Sequence, residues 1–186
     1  MAHIRLATIG DVDYENCHPF VKRDCRGRVW TLIHNGTIFN CPLLDGYVHR
    51  QEGSTDSERI LLYLIDCIDN ETKKKGEELS PRERFSVVDH VICRITPKNK
   101  VNLIIYDSDI MYVHTNFRNT LYMKRMESGI IFSTTPLDGS IWEAVPFTTL
   151  LGFRDGERIL IGTNHGNEYI YDPQDMHLIF LDYAKL

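Results

Sequence analysis

The spacing of apolar residues changes twice along this 186-residue chain. In the first third, short apolar runs alternate with turn residues. Val29-Trp30-Thr31-Leu32-Ile33 reads as a buried strand ending at the turn His34-Asn35-Gly36. The period then becomes helical. Thr55 and Glu58 form a Thr-x-x-Glu capping box, and Ile60, Leu61, Leu64, Ile65 and Ile68 follow as an apolar stripe. Residues 69–79 are polar and charged and are expected to form an exposed loop. A second helix is predicted from Ser80-Pro81-Arg82-Glu83, with Ser80 as cap, Pro81 at the first helical position and Glu83 closing the box. Phe85, Val88, Val91, Ile92 and Ile95 make its buried face. From Val101 onward the pattern is that of strands: 101–106 and 110–114 around an Asp107-Ser108-Asp109 hairpin, then 120–124, 129–133, 145–153, 158–162, 168–171 and 177–181. Helices early and strands throughout predict an α+β architecture, with helices on a largely antiparallel sheet.

Composition narrows the function. The length fits one domain spanning 1–186, and 42% hydrophobic with 25% charged residues is enough for a sizeable core. A net charge of −5 argues against nucleic acid as a partner. The basic stretches Lys73-Lys74-Lys75 and Lys98-Asn99-Lys100 read as solvated loops. The five cysteines (Cys17, Cys25, Cys41, Cys67 and Cys93) are odd in number and lack Cys-x-x-Cys spacing, so neither a disulfide framework nor a zinc site is expected. Cys67 and Cys93 fall on apolar helix faces and are expected in the core. No apolar run reaches membrane-spanning length, no signal-peptide pattern opens the chain, and a cytoplasmic location is expected. The histidines match no metal-ligand spacing, and Gly-rich phosphate loops are absent, so no metal or cofactor is expected.

Four residue groups carry candidate chemistry for gripping an amino acid and attacking its side-chain amide. Arg5, on an apolar strand, suits a carboxylate, because a guanidinium makes two parallel hydrogen bonds to it; a structural ion pair is the plain alternative. Asp56, at a helix N-terminus, suits an ammonium; helix capping is its alternative. Asn35 and Gly36 suit an oxyanion hole, one giving a side-chain N–H and the other a closely approachable backbone N–H; an ordinary strand-ending turn is the alternative. Thr8 can bond a substrate or its own strand neighbour. His3, His18 and His34 beside these motifs read as structural residues. Ser57 and Glu58 are assigned to the helix start.

The ordered set of motifs resembles the class II, N-terminal-nucleophile type of glutamine amidotransferase, in its stand-alone bacterial form. It comprises Arg5-Leu6-Ala7-Thr8-Ile9-Gly10, Asn16-Cys17-His18-Pro19-Phe20, His34-Asn35-Gly36 and Thr55-Asp56-Ser57-Glu58, with Phe132 to Leu137 and Trp142 as later echoes. The resemblance implies a four-layer αββα sandwich, incomplete at the N-terminus. It implies that Arg5, with Thr8 close by, holds the glutamine carboxylate, Asp56 the ammonium, and Asn35 and Gly36 the tetrahedral intermediate. Glutamine or a γ-glutamyl amide is the implied ligand. The family's nucleophile is the thiol of an N-terminal cysteine, with its own α-amine as base. Here Met1-Ala2 opens the sequence and only four residues precede Arg5. Cys17, being internal, has no free α-amine to serve as base. Three expectations follow: a longer native protein with an upstream cysteine-bearing segment, a partner chain or second copy that supplies the missing strands, or a non-catalytic amino-acid-binding or regulatory subunit. The chain as written is expected to lack glutaminase activity. No nucleic-acid or membrane partner is expected.

Overall fold

The computed structural model describes residues 13–172. Nine strands, two α-helices and two short 3-10 turns (Tyr14–Asn16 and Pro42–Tyr47) are found among them. The strands are β1 (Phe20–Arg23), β2 (Val29–His34), β3 (Leu103–Tyr106), β4 (Met111–His114), β5 (Tyr122–Met126), β6 (Gly129–Ser133), β7 (Glu143–Ala144), β8 (Thr149–Arg154) and β9 (Glu157–Asn164). They form a six-stranded sheet in the order β1-β2-β3-β4-β8-β9 and a three-stranded sheet in the order β6-β5-β7. Every pairing is antiparallel.

Helix α1 (Asp56–Lys75) starts because the Thr55 hydroxyl oxygen accepts the Glu58 N–H at 3.3 Å. The reciprocal half of the expected box does not form. The buried Glu58 carboxylate instead accepts the N–H groups of Glu52 and Gly53 and lies 3.3 Å from the Lys22 ammonium. The helix also runs through Lys75, into the stretch expected as a loop. Residues 69–75 hold no Gly or Pro, three lysines sit favourably at the helix C-terminus, and Glu71 pairs with Lys74 at 2.6 Å. Gly76 ends it, with φ of +81° and its N–H bonded to Thr72 O. Helix α2 (Pro81–Ile95) has the full capping box predicted, Ser80 N to Glu83 Oε2 at 2.7 Å and Glu83 N to Ser80 Oγ at 3.4 Å.

Period-two alternation assigns each strand residue to one of two cores. Trp30, Leu32, Leu103, Ile105, Tyr112 and Leu150 pack against the helices, together with Ile60, Leu61, Leu64, Phe85, Val88 and Ile92. Val113, Leu151 and Phe153, with Ile104 and Met111, face the other way onto Leu121, Met123, Ile130 and Phe132 of the second sheet. Strand β8 is thus buried on both sides. At Gly152 a side chain would meet the Phe85 ring at 3.0 Å, so glycine lets α2 lie close to the sheet. The described residues form three successive layers, helix, sheet and sheet, in agreement with the αββ part of the expected sandwich.

Two strand expectations change. The apolar run 145–153 is strand only from Thr149 on, as β8 of the large sheet, and β7 of the small sheet ends just before it, at Ala144. Pro146 lacks the N–H a ladder needs, and Thr148 takes a φ of +53°, so the chain crosses between sheets there. Residues 168–171 carry no strand. Residues 177–181 lie outside the described residues. Cys67 and Cys93 are half-buried; Cys67 packs on the edge of the helix-side core.

The β3–β4 hairpin end is tied by paired charges. Arg84 donates from Nε to Asp107 and from Nη2 to Asp109, each at 2.7 Å, and Arg154 donates to Asp109 at 2.7 Å. Asp107 also accepts the Tyr112 hydroxyl at 2.7 Å and the N–H groups of Asp109 and Ile110. This is the expected Asp107-Ser108-Asp109 turn, locked to helix α2.

Candidate functional site

The opposite end of the same sheet gathers the predicted motifs. Strand β2 ends at His34, and the chain continues beside the lead-in to β3. Asn35 N donates to Asn102 O at 2.8 Å, while Thr37 and Lys100 exchange two backbone bonds at 2.9 and 3.0 Å. Gly36 lies between them. A Cβ there would overlap both the Lys100 carbonyl oxygen and the His34 ring, so only glycine fits whatever the ligand. The side chain of Asn35 is exposed.

Asp56, the first residue of α1, reaches this turn. Its Oδ2 accepts the Ile38 N–H at 2.7 Å. The helix N-terminus and the turn that follows β2 are therefore joined, Asp56 bonding a residue two positions along the chain from Gly36. The buried His34 and Ser57 reinforce the joint. His34 Nε2 donates to Lys100 O at 3.2 Å, and the single Ser57 hydroxyl hydrogen is shared between His34 Nδ1 at 3.1 Å and Asp56 Oδ1 at 3.3 Å. Burial pushes the His34 pKa down, with Asp56 opposing, so the ring is neutral. His34 is thus a clamp within the joint, as its reading as a structural residue anticipated. Ser57 does more than start the helix.

Neutral amides hold the rest of this end. Asn99 Oδ1 accepts the N–H groups of Phe39 and Asn40 at 2.7 and 3.1 Å, and its amide nitrogen donates to Ile95 O at 2.8 Å. Asn116 accepts Val101 N and donates to Asn99 O. Asn102 bridges Thr115 and Thr120 at 2.6 and 2.7 Å. Beneath them His114 donates from Nδ1 to Val101 O at 2.8 Å and accepts at Nε2 from His165 Nε2 at 3.0 Å, while His165 Nδ1 accepts Asn167 N. These partners assign one neutral tautomer to each ring. Burial, then the neighbouring His165, pushes the His114 pKa down to about 3; burial also lowers that of His165.

Asn35, Gly36 and Asp56 are therefore brought together, while Arg5 and Thr8, like His3, lie outside the described residues. Asn16, from the Asn-x-His-Pro-Phe segment, is buried and accepts Ser54 N at 2.8 Å just ahead of α1. The stretch Lys98-Asn99-Lys100 is not a solvated loop: Asn99 is fully buried and Lys100 half-buried. Its apolar flanks, Ile95 and Val101, were the signal in the sequence. No group of metal ligands is found among the described residues, and no described helix is long and apolar enough to cross a membrane.

Comparison with known proteins gives a consistent result. The family model described as class II glutamine amidotransferases matches residues 1–128. A Haemophilus influenzae protein provisionally named a glutamine amidotransferase is 32% identical over 129 residues, covering 69% of this chain and 42% of that protein. The glutamine–fructose-6-phosphate aminotransferase of Symbiobacterium thermophilum is 27% identical over 170 residues, covering 82% of this chain and 26% of the relative. The chain thus spans less than half the length of these two curated relatives. Among solved structures, a Pseudomonas aeruginosa protein described as a predicted glutamine amidotransferase superposes with a TM-score of 0.68 at 23% identity, over 85% of this chain and 70% of that one. The glutamine phosphoribosylpyrophosphate amidotransferase of Bacillus subtilis gives 0.60 at 19% identity, over 87% and 34%. These likenesses extend the agreement in fold beyond the matched motifs, and the family match covers more than half of the sequence. The chain belongs to the class II glutamine amidotransferases.

Proposed function

We propose that this domain binds glutamine or a γ-glutamyl amide at the junction of β2 and α1, and that within its complete enzyme it serves the hydrolysis of the side-chain amide. The observation that carries the reading is the 2.7 Å bond from Ile38 N–H to Asp56, which sets a carboxylate beside the Asn35-Gly36 turn. In this reading Asp56 accepts hydrogen bonds from the substrate ammonium. The positive end of the helix dipole there suits a carboxylate. The Asn35 side-chain amide and the Gly36 N–H donate to the carbonyl oxygen as negative charge gathers there during nucleophilic addition. Collapse of that intermediate expels ammonia or an amine. Arg5 and Thr8 take the α-carboxylate end.

The nucleophile is not drawn from the described cysteines. Burial pushes the Cys41, Cys67 and Cys93 thiols up, and burial with Asp69 does the same for Cys25. The exposed Cys17 thiol points to Asp13 O at 3.5 Å. The 186-residue chain is therefore expected to bind ligand and to release no ammonia. Isothermal titration with glutamine tests this. Millimolar or tighter binding, lost in Asp56→Asn with an unchanged melting curve, supports the reading. Undiminished binding in that variant removes Asp56 from the site, and ammonia release above background refutes the account of the nucleophile.

A further inference from the structure

Lys100 is placed as no other lysine of the described residues is. Lys22 lies against Glu52 and Glu58, Lys75 against Glu77 and Glu83, and Lys124 against Asp138. Lys100 is half-buried and has no carboxylate partner among the described residues. Burial alone lowers its pKa. Its ammonium instead sits 5.0 Å from the centroid of the Phe117 ring, a weak substitute for an anion.

Strand alternation says which way it faces. Val101, Leu103 and Ile105 enter the helix-side core, so Lys100, Asn102 and Ile104 take the opposite face. His34 points to the helix side, at Ser57, so Asn35 shares the face of Lys100. Backbone bonds between Thr37 and Lys100 and between Asn35 and Asn102 fix the two residues one strand apart. Phe117 also lines a cavity of about 210 Å³, together with Thr115, Arg118, Leu121, Val145 and Phe147. Arg118 is already occupied by Glu168, at 2.6 and 3.1 Å. A half-buried cation over an aromatic ring thus lies one strand from the turn that would receive the reacting amide, and the same ring borders a cavity.

We propose that Lys100 is the specificity residue of this site, selecting γ-glutamyl amides whose amine portion carries a negative charge. The inference rests on the binding site proposed above. The substrate carbonyl lies at Asn35 and Gly36, its amine portion extends toward Phe117, and a carboxylate there meets the Lys100 ammonium in a partly water-excluded setting, where charge pairing is strong. Free glutamine, whose amine portion is ammonia, leaves Lys100 unmatched.

The test is titration calorimetry of the full chain with γ-glutamylglycine and γ-glutamylmethylamide, which share the scissile bond and differ in the terminal carboxylate. Wild-type protein is expected to bind γ-glutamylglycine at least tenfold more tightly. Lys100→Met should lose that preference while holding γ-glutamylmethylamide as before, and Lys100→Arg should keep most of it. Equal weakening toward both ligands in Lys100→Met, or unchanged preference, overturns the proposal and leaves the glutamine site intact. Failure of the wild type to bind either ligand defeats the site and the proposal together. Circular dichroism melting of each variant shows that the fold is retained.

Discussion

The two ends of the six-stranded sheet solve the burial of polar groups in opposite ways. At the hairpin end, Arg84 and Arg154 meet Asp107 and Asp109, and each buried charge has a counter-charge at 2.7 Å. Burial raises the cost of ionising Asp109, but the two guanidinium groups hold its pKa below the usual range; burial beside Asp107 pushes the Tyr112 phenol up. At the other end neutral groups predominate: three buried asparagines, the buried rings of His34 and His114 and the half-buried ring of His165, with the buried Glu58 carboxylate at the start of α1 paired to Lys22. Lys100, at the same end, has no carboxylate partner among the described residues. Paired charges at one end, against a lysine among neutral amides at the other, are the contrast on which the proposed ligand site rests.

The comparison is broken most forcefully at the charged end. Arg84→Met strands Asp107 in the core and should cost about 3–5 kcal/mol, read from urea unfolding at pH 7. A loss below about 1 kcal/mol would show that the pairing there is unimportant. At the ligand end, Gly36→Ala forces the turn away from the Lys100 carbonyl, and overpacking of this kind costs about 1–3 kcal/mol. Glutamine binding should vanish with it; retained binding would show that the turn shifts without harm.

The two ends should also separate by pH. A histidine with a depressed folded pKa takes up its proton first in the unfolded chain. Its contribution is therefore complete above about pH 6.5 and declines as pH falls, by up to about 1.4 kcal/mol per pH unit and group. For His114 the decline continues to about pH 3. Asp109, whose folded pKa is lowered from 3.8, contributes fully above about that pH and loses its contribution as pH falls from there through the lowered folded value. Unfolding free energies measured between pH 7 and 5 should thus fall, and His114→Gln should flatten the slope. A wild-type profile flat to pH 5 would mean that the histidines are not buried as neutral rings. The smallest effect is expected at the helix start: Thr55→Ala removes one cap bond and should cost about 1 kcal/mol, with binding weakened because Asp56 is less firmly held. Unaltered thermal unfolding would assign the helix start to Glu58 and the 52–54 segment instead.

Much of this was legible in the residues. Both helices, their buried faces, the Ser80–Glu83 box and the β3–β4 hairpin follow from periodicity and turn chemistry, which act over a few residues. The length of α1 was missed because a charged stretch after an apolar stripe looks like loop, although nothing in 69–75 breaks a helix. The crossing between sheets at 145–148 was missed because alternation reports burial and does not name the partner strand. At the proposed site, Asn35, Gly36 and Asp56 were named by motif and stand near one another in the fold, while the half-burial of Lys100 was hidden in a basic tripeptide that reads as solvent-facing.

The sequence by itself determined both helix starts, the helices' apolar faces, most strands and the family, since each depends on local spacing or on motifs kept in order. Only the tertiary structure decided that Glu58 serves the preceding loop, that Gly36 is required by the Lys100 carbonyl, and that Asp56 joins the β2 turn. The Asp56–Ile38 and His34–Lys100 contacts at this junction join residues 18 and 66 apart in the sequence, and no local pattern encodes which backbone groups will be left needing a partner once the layers have packed.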